Sequence, residues 1–134
     1  MTELQLLNFN QPNLGAGIKA LDDAELDNLD FGVIGFDVEN VVRRYNAFES
    51  KSSGLSPSRV LGLSLFDVVA PCMNNFMVAQ RFEDAATNGV PLDATIDYVL
   101  TLRMRPVKVQ MRLLASPDSA MRYVLIYWPA SNVR

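Results

Sequence analysis

The chain has 134 residues, 49% of them hydrophobic and 20% charged, with a net charge of −3. These values fit one globular domain with a real core and argue against wholesale disorder. No histidine and a single cysteine, Cys72, exclude Ser-His-Asp and Cys-His catalysis, His-ligated haem, ordinary zinc sites and an internal disulfide built from this chain alone.

In chain order, residues 1–20 show no clear period and predict a loosely ordered segment with about one helical turn. Asp22 to Leu29 suits a short helix, with Asp22 or Asp23 at its N-cap and carboxylates in its first turn. Phe31–Phe36 and Val41–Tyr45 flank Asp37-Val38-Glu39-Asn40 and read as a hairpin. Asn46–Ser53 reads as a turn or one or two helical turns. Ser56-Pro57 opens a short helix that Gly62 ends. Leu65–Ala70 is too short for an independent helix, and Pro71 restricts Ala70. Asn75 to Asn88 places Phe76, Ala79, Phe82 and Ala86 on one helical face, stopped by Gly89. Ile96, Tyr98, Leu100 and Leu102 alternate with Asp97, Val99 and Thr101, and Val107, Val109, Met111 and Leu113 with Lys108, Gln110 and Arg112, so each reads as a strand with one buried face. Arg105-Pro106 lies in the turn between these two strands, and Met121–Tyr127 is a last strand after the turn at Ser116–Ser119. Five strands in an antiparallel sheet, with helices on one face, give an α+β domain in the order of a PAS fold.

Charge is unevenly spread. Residues 1–40 carry eight acids against Lys19, and residues 101–134 carry six bases against Asp118. Solvated faces that differ by chance would produce this; so would an acidic N-terminal segment packed on the basic C-terminal part. The acidic balance and the lack of a basic run with interleaved aromatics argue against nucleic acid. No signal-peptide pattern opens the chain and no stretch nears the ~18–20 apolar residues of a membrane span. A cytoplasmic location, with no membrane partner, is the expectation.

Tyr45, Glu49, Cys72 and Met104 stand out as candidate chemistry. Tyr45 and Glu49 are four apart, which would place them on one face of a helical turn. Taken singly, each has a plain reading: a core aromatic, a surface acid, a small buried hydrophobe and a gap filler.

Together they resemble the photoactive yellow protein family. Leu21-Asp22-Asp23, Leu26-Asp27, Leu29, Phe31-Gly32 and Ile34 resemble the end of that family's N-terminal cap and its first strand. Tyr45-Asn46-Ala47-Phe48-Glu49 resembles its Tyr-Asn-Ala-x-Glu motif, and Val69-Ala70-Pro71-Cys72 the segment that holds its chromophore cysteine. Tyr98, Met104, Pro106, Lys108 and Val109 continue the match, which spans roughly residues 21–127. The resemblance implies a PAS-fold blue-light photoreceptor, not an enzyme. It implies a cap over residues 1–28, a PAS core over 29–128 and a tail over 129–134. The implied cofactor is p-coumaric acid (4-hydroxycinnamic acid), thioester-linked to Cys72. Tyr45 and Glu49 would hydrogen-bond its phenolate and Ser53 would support Tyr45. The Cys72 N–H would hold the thioester carbonyl, and Ile34, Val69, Ala70 and Met104 would line the pocket. The signal would be trans–cis isomerisation, proton transfer from Glu49 and partial unfolding of the cap, read by a downstream signalling protein. Leu55 stands where the family often has arginine, Ser53 replaces its usual threonine, and Asp37–Asn40 lacks the glycines of its hairpin turn. A chromophore-free PAS module that binds a small ligand or protein partner is the alternative. A thiol enzyme built on Cys72 would lack an activating histidine.

Overall fold

The chain enters through two helices, α1 (Leu14–Ala20) and α2 (Asp23–Leu26), in a computed structural model that describes residues 7–101 and 106–128. Residues 7–20 are therefore better ordered than their sequence suggests. Helix α1 is short and contains Gly15 and Gly17, so propensity alone would not form it. Packing does: Leu14 and Ile18, four apart, are fully buried. Helix α2 is closed by a capping box, in which Asp22 accepts from the Glu25 N–H and Glu25 accepts from the Asp22 N–H.

Strands β1 (Gly32–Phe36) and β2 (Val42–Tyr45) form the expected antiparallel hairpin. Its turn dispenses with glycine. Asp37 accepts from the Glu39 and Val41 N–H groups, and Asn40 takes the left-handed conformation at φ 66°. The register shifts between Gly35 and Phe36, so Ile34 pairs with Tyr45 but Phe36 with Val42. This bulge lets both Val42 and Tyr45 join the same core.

Helices α3 (Ala47–Ser53) and α4 (Pro57–Val60) follow, then a π-helical turn over Leu65–Val69 and a 3-10 turn over Pro71–Met73. Helix α5 runs Ala79–Asn88. It starts later than the Phe76 periodicity implies, because the Asn75 side chain accepts from the Met77 and Val78 N–H groups and holds that segment as a turn. Phe76 is consequently 79% exposed, and Val78, Phe82 and Ala85 form the buried face in place of Phe76 and Ala86. Strands β3 (Leu92–Leu100), β4 (Val107–Ala115) and β5 (Arg122–Tyr127) complete one antiparallel sheet in the order β2-β1-β5-β4-β3.

The sheet is covered on both faces, not on one. Ile34, Tyr98, Met111, Val124 and Ile126 point to the side packed by the π-turn and α5. Val33, Leu114, Tyr123 and Leu125 point to the opposite side, where Phe9, Leu14, Ile18 and Leu26 cover them. Sequence separation explains the difference: strand alternation reveals that a face is apolar, but not which distant segment buries it. No helix among the described residues is long and apolar enough to cross a membrane.

Candidate functional site

Tyr45 ends β2, and Glu49 sits in the first turn of α3. They do not share a helical face. A strand-to-helix junction brings them together, and Asn46 builds it. The Asn46 carboxamide oxygen caps α3 by accepting from the Glu49 N–H at 3.1 Å and also accepts from the Val33 N–H at 2.9 Å. Its amide nitrogen donates to the Leu26 and Phe31 carbonyls, each at 3.0 Å. Asn46 is 1% exposed and satisfied on both ends, so the junction is fixed.

The Tyr45 hydroxyl lies 2.6 Å from Ser53 Oγ, which accepts from the Leu55 N–H at 3.2 Å. With the Leu55 N–H donating a hydrogen bond to its Oγ, Ser53 can turn its own O–H toward Tyr45, leaving the Tyr45 O–H free to donate onward. Burial and the neighbouring Glu49 hold the Tyr45 phenol well above its ordinary range, so it stays a neutral donor.

Glu49 is completely buried. Oε1 accepts from the Trp128 indole N–H at 2.8 Å, and Oε2 has no hydrogen-bond partner among the described residues. Desolvation pushes its pKa up to about 8, against the lowering effect of the Trp128 hydrogen bond. The acid is therefore largely neutral at pH 7. Its seat depends on Gly32, since a Cβ there would lie 1.9 Å from Oε1. Gly32→Ala is expected to displace Glu49 and cost roughly 1–3 kcal/mol. Urea unfolding checks this; a variant as stable as the parent would contradict the seat.

Cys72 lies in the 3-10 turn, half-buried against the same core that holds Ile34, Tyr45, Val69, Ala70 and Trp128. Its carbonyl accepts from the Tyr98 hydroxyl at 2.6 Å and from the Asn75 amide at 3.1 Å. Asn75 and Tyr98 are also 2.6 Å apart, so three residues from a loop and a strand lock the turn. The structure thus places Tyr45, Glu49, Ser53, Ile34, Val69, Ala70 and Cys72 on one side of the sheet. Met104 lies outside the described residues, as do the preceding Leu102 and the 129–134 tail. The sequence reading missed Gly32, Asn75 and Trp128 as site residues. Gly32 enters the match only as part of the first strand and Trp128 carries no motif, but Asn75 has a readable signal: an Asn side chain can accept from backbone N–H groups two or three residues on.

No protein-family model matches the chain. Single relatives do. Photoactive yellow protein of Rhodothalassium salexigens is 32% identical over 123 residues, covering 90% of this chain and 98% of the relative. The chain belongs to the photoactive yellow protein family. A second member, from Halochromatium salexigens, is 30% identical over 110 residues. Among solved structures, the photoactive yellow protein domain of the sensor histidine kinase Ppr from Rhodospirillum centenum superposes with a TM-score of 0.75 at 38% identity, over 83% of this chain and 96% of that one. The PAS domain of the quorum-sensing receptor RpfR from Cronobacter turicensis shares the fold at 13% identity and a TM-score of 0.58. The family assignment makes the chain a PAS-type sensory domain.

In this family member two arginines tie the N-terminal helices to the sheet. Arg112 of β4, 6% exposed, donates to the Phe9 and Gln11 carbonyls at 2.8 and 2.7 Å and forks onto Asp93 of β3. Arg44 of β2 donates to the Ile18 and Leu21 carbonyls, to Asp23 and to the Tyr123 hydroxyl. Of these two arginines only Arg112 belongs to the basic C-terminal part, and it meets the N-terminal segment through backbone carbonyls rather than acids; Arg44 lies outside that part. The carboxylate partners are Asp93, outside the acidic segment, and Asp23, whose side chain is 83% exposed.

Proposed function

We propose that the chain is a blue-light photoreceptor whose chromophore, p-coumaric acid, is held as a thioester on Cys72. The observation that carries this reading is the fully buried Glu49, whose Oε2 has no partner among the described residues, in a family whose members are named for photoactivity. A fully buried carboxyl oxygen left without a partner is costly, and a phenolate oxygen, accepting from its O–H, is a group that would satisfy it. The fit is chemical: one half-buried thiol, two neutral acidic donors and apolar walls from Ile34, Val69 and Ala70. Met104 belongs to the same proposed lining.

When bound, such a group supplies visible absorption, a light-driven trans–cis isomerisation and a phenolate oxygen. The chain's residues do the rest. Tyr45, backed by Ser53, and Glu49 would offset the cost of an anion in the core through short charge-assisted hydrogen bonds. The Cys72 N–H would hold the thioester carbonyl, and the Tyr98–Asn75 lock keeps the turn that presents it in place. Glu49 would pass its proton from Oε2 to the phenolate oxygen, which becomes a phenol, and would itself be left as a buried carboxylate. An uncompensated buried charge costs several kcal/mol, comparable to the ~5–15 kcal/mol net stability of a small domain. Partial unfolding relieves it, and residues 1–28 are the segment we assign to detach and be read by a downstream signalling protein.

Incubating the chromophore-free protein with activated p-coumaric acid tests the reading. We expect a mass increment of one coumaroyl group, a visible band that bleaches under blue light, and loss of both in Cys72→Ala. A colourless protein with Cys72 unmodified would overturn it and favour a chromophore-free binding module.

A further inference from the structure

We propose that Trp128 is the positioning residue for Glu49: its indole N–H claims Oε1 and so assigns the transferable proton to Oε2. The inference rests on the reading of Glu49 as the proton donor and adds the residue that aims it.

The geometry is specific. Trp128 immediately follows β5, and Ile126, two residues earlier, pairs with Gly32 of β1. Trp128 therefore continues along the same sheet face, past the one strand position whose missing side chain leaves room for the carboxyl. The Nε1 to Oε1 distance is 2.8 Å, with Glu49 fully buried and Trp128 5% exposed. The contact is buried and well formed.

The chemistry gives it direction. An indole N–H can only donate. The carboxyl oxygen that meets it must act as acceptor, and in a neutral carboxyl the better acceptor is the carbonyl oxygen. Oε1 is thus the carbonyl, and the hydroxyl proton resides on Oε2, the oxygen with no partner among the described residues. A 180° flip of the carboxyl would set the O–H against the indole N–H, two donors facing each other in a site without water-like freedom. Gly32 closes the remaining side, since Oε1 occupies the space its Cβ would take. Once Oε2 has lost its proton, the same N–H remains on Oε1 and partly stabilises the carboxylate. Trp128 therefore both directs the proton and moderates the charge left behind.

Trp128 is the chain's only tryptophan, so its indole N–H gives a single side-chain cross-peak in a ¹H–¹⁵N spectrum. In the chromophore-free protein, Glu49→Leu should move that peak upfield, whereas Glu49→Gln, which keeps an oxygen acceptor, should move it little. Trp128→Phe should shift the Glu49 carbonyl stretch, assigned by subtracting the Glu49→Gln infrared spectrum, to higher wavenumber. A change in stability alone would not produce that shift. After loading with p-coumaric acid, Trp128→Phe should red-shift the visible band by less than Glu49→Gln and reduce the light-induced loss of the Glu49 carboxylic-acid band. An indole peak indifferent to Glu49→Leu, or a carbonyl stretch indifferent to Trp128→Phe, overturns the proposal. Absence of chromophore uptake overturns the photoreceptor reading instead, and the two chromophore-free measurements still decide whether Trp128 holds Glu49.

Discussion

Glu49→Gln should stabilise the chromophore-free protein by on the order of 5 kcal/mol above about pH 8, and by little near pH 4. An unfolded glutamic acid ionises near its ordinary value of 4.5, but burial lifts Glu49 in the folded chain to about 8. Between those values the folded state holds a proton that the unfolded state has released. Stability therefore falls as pH rises through this window, by about 1.4 kcal/mol per pH unit for one proton, and levels off above it. Paired surface carboxylates behave in the opposite sense, losing stability as pH falls. Glutamine stays neutral throughout and keeps an oxygen for the Trp128 indole, so it removes the slope with little change in shape. Urea unfolding of both proteins across pH 4.5–8.5 supplies the comparison; parallel stability curves would show that Glu49 is not forced to remain protonated. The same quantity bears on the proposed signal. Whatever removes the Glu49 proton within the folded chain imposes a cost of this order, which is a large share of a small domain's net stability and which opening would relieve.

The strands were readable because alternation survives tertiary context. Ile96, Tyr98 and Leu100 of β3 and Val109, Met111 and Leu113 of β4 fall on one face, as their spacing requires. The hairpin was also readable, although its turn relies on Asp37 and Asn40 rather than on glycine. Helix α1 was not. Its seven residues contain two glycines, and only Leu14, Ile18 and the distant arginines explain its order. Phe76 was misplaced because one Asn side chain displaced the helix start, an effect that periodicity does not register. In the site, the motif points to Tyr45, Glu49 and Cys72, but Tyr45 ends a strand and Glu49 begins a helix, so their spacing of four places them on no common helical face. The strand–helix junction and its Asn46 cap join them. Trp128 lies 79 residues from Glu49, and a tryptophan after an apolar strand reads simply as core. Its polar handle became visible only once β5 was laid beside β1.

Arg112→Met should release the N-terminal segment at a cost of about 3 kcal/mol, since hydrogen bonds from a charged donor contribute about 1.5–3 kcal/mol each. Methionine fills much of the buried stem's volume, so packing of the aliphatic part changes little. What disappears is the fork. The pair with Asp93 contributes modestly, because the Asp93 side chain is 49% exposed and can rehydrate. The Phe9 and Gln11 carbonyls matter more, as they lose a donor that reaches them at 2.8 and 2.7 Å from beneath the segment. Phe9 packs edge-on to Phe31 and against Tyr127, so loosening this turn also weakens an aromatic contact on the outer sheet face. Lysine should not restore the effect, because one ammonium cannot span two carbonyls and a carboxylate in the guanidinium's planar geometry. Amide hydrogen exchange separates local from global opening. The amides of α1 should exchange about 10²-fold faster, the factor that corresponds to about 3 kcal/mol, while the β4–β5 ladder changes less. Equal acceleration of both would mean that the segment and the sheet open as one unit. In that case residues 1–28 could not serve as a separately detachable cap, and the structural change following Glu49 deprotonation would have to involve the sheet itself.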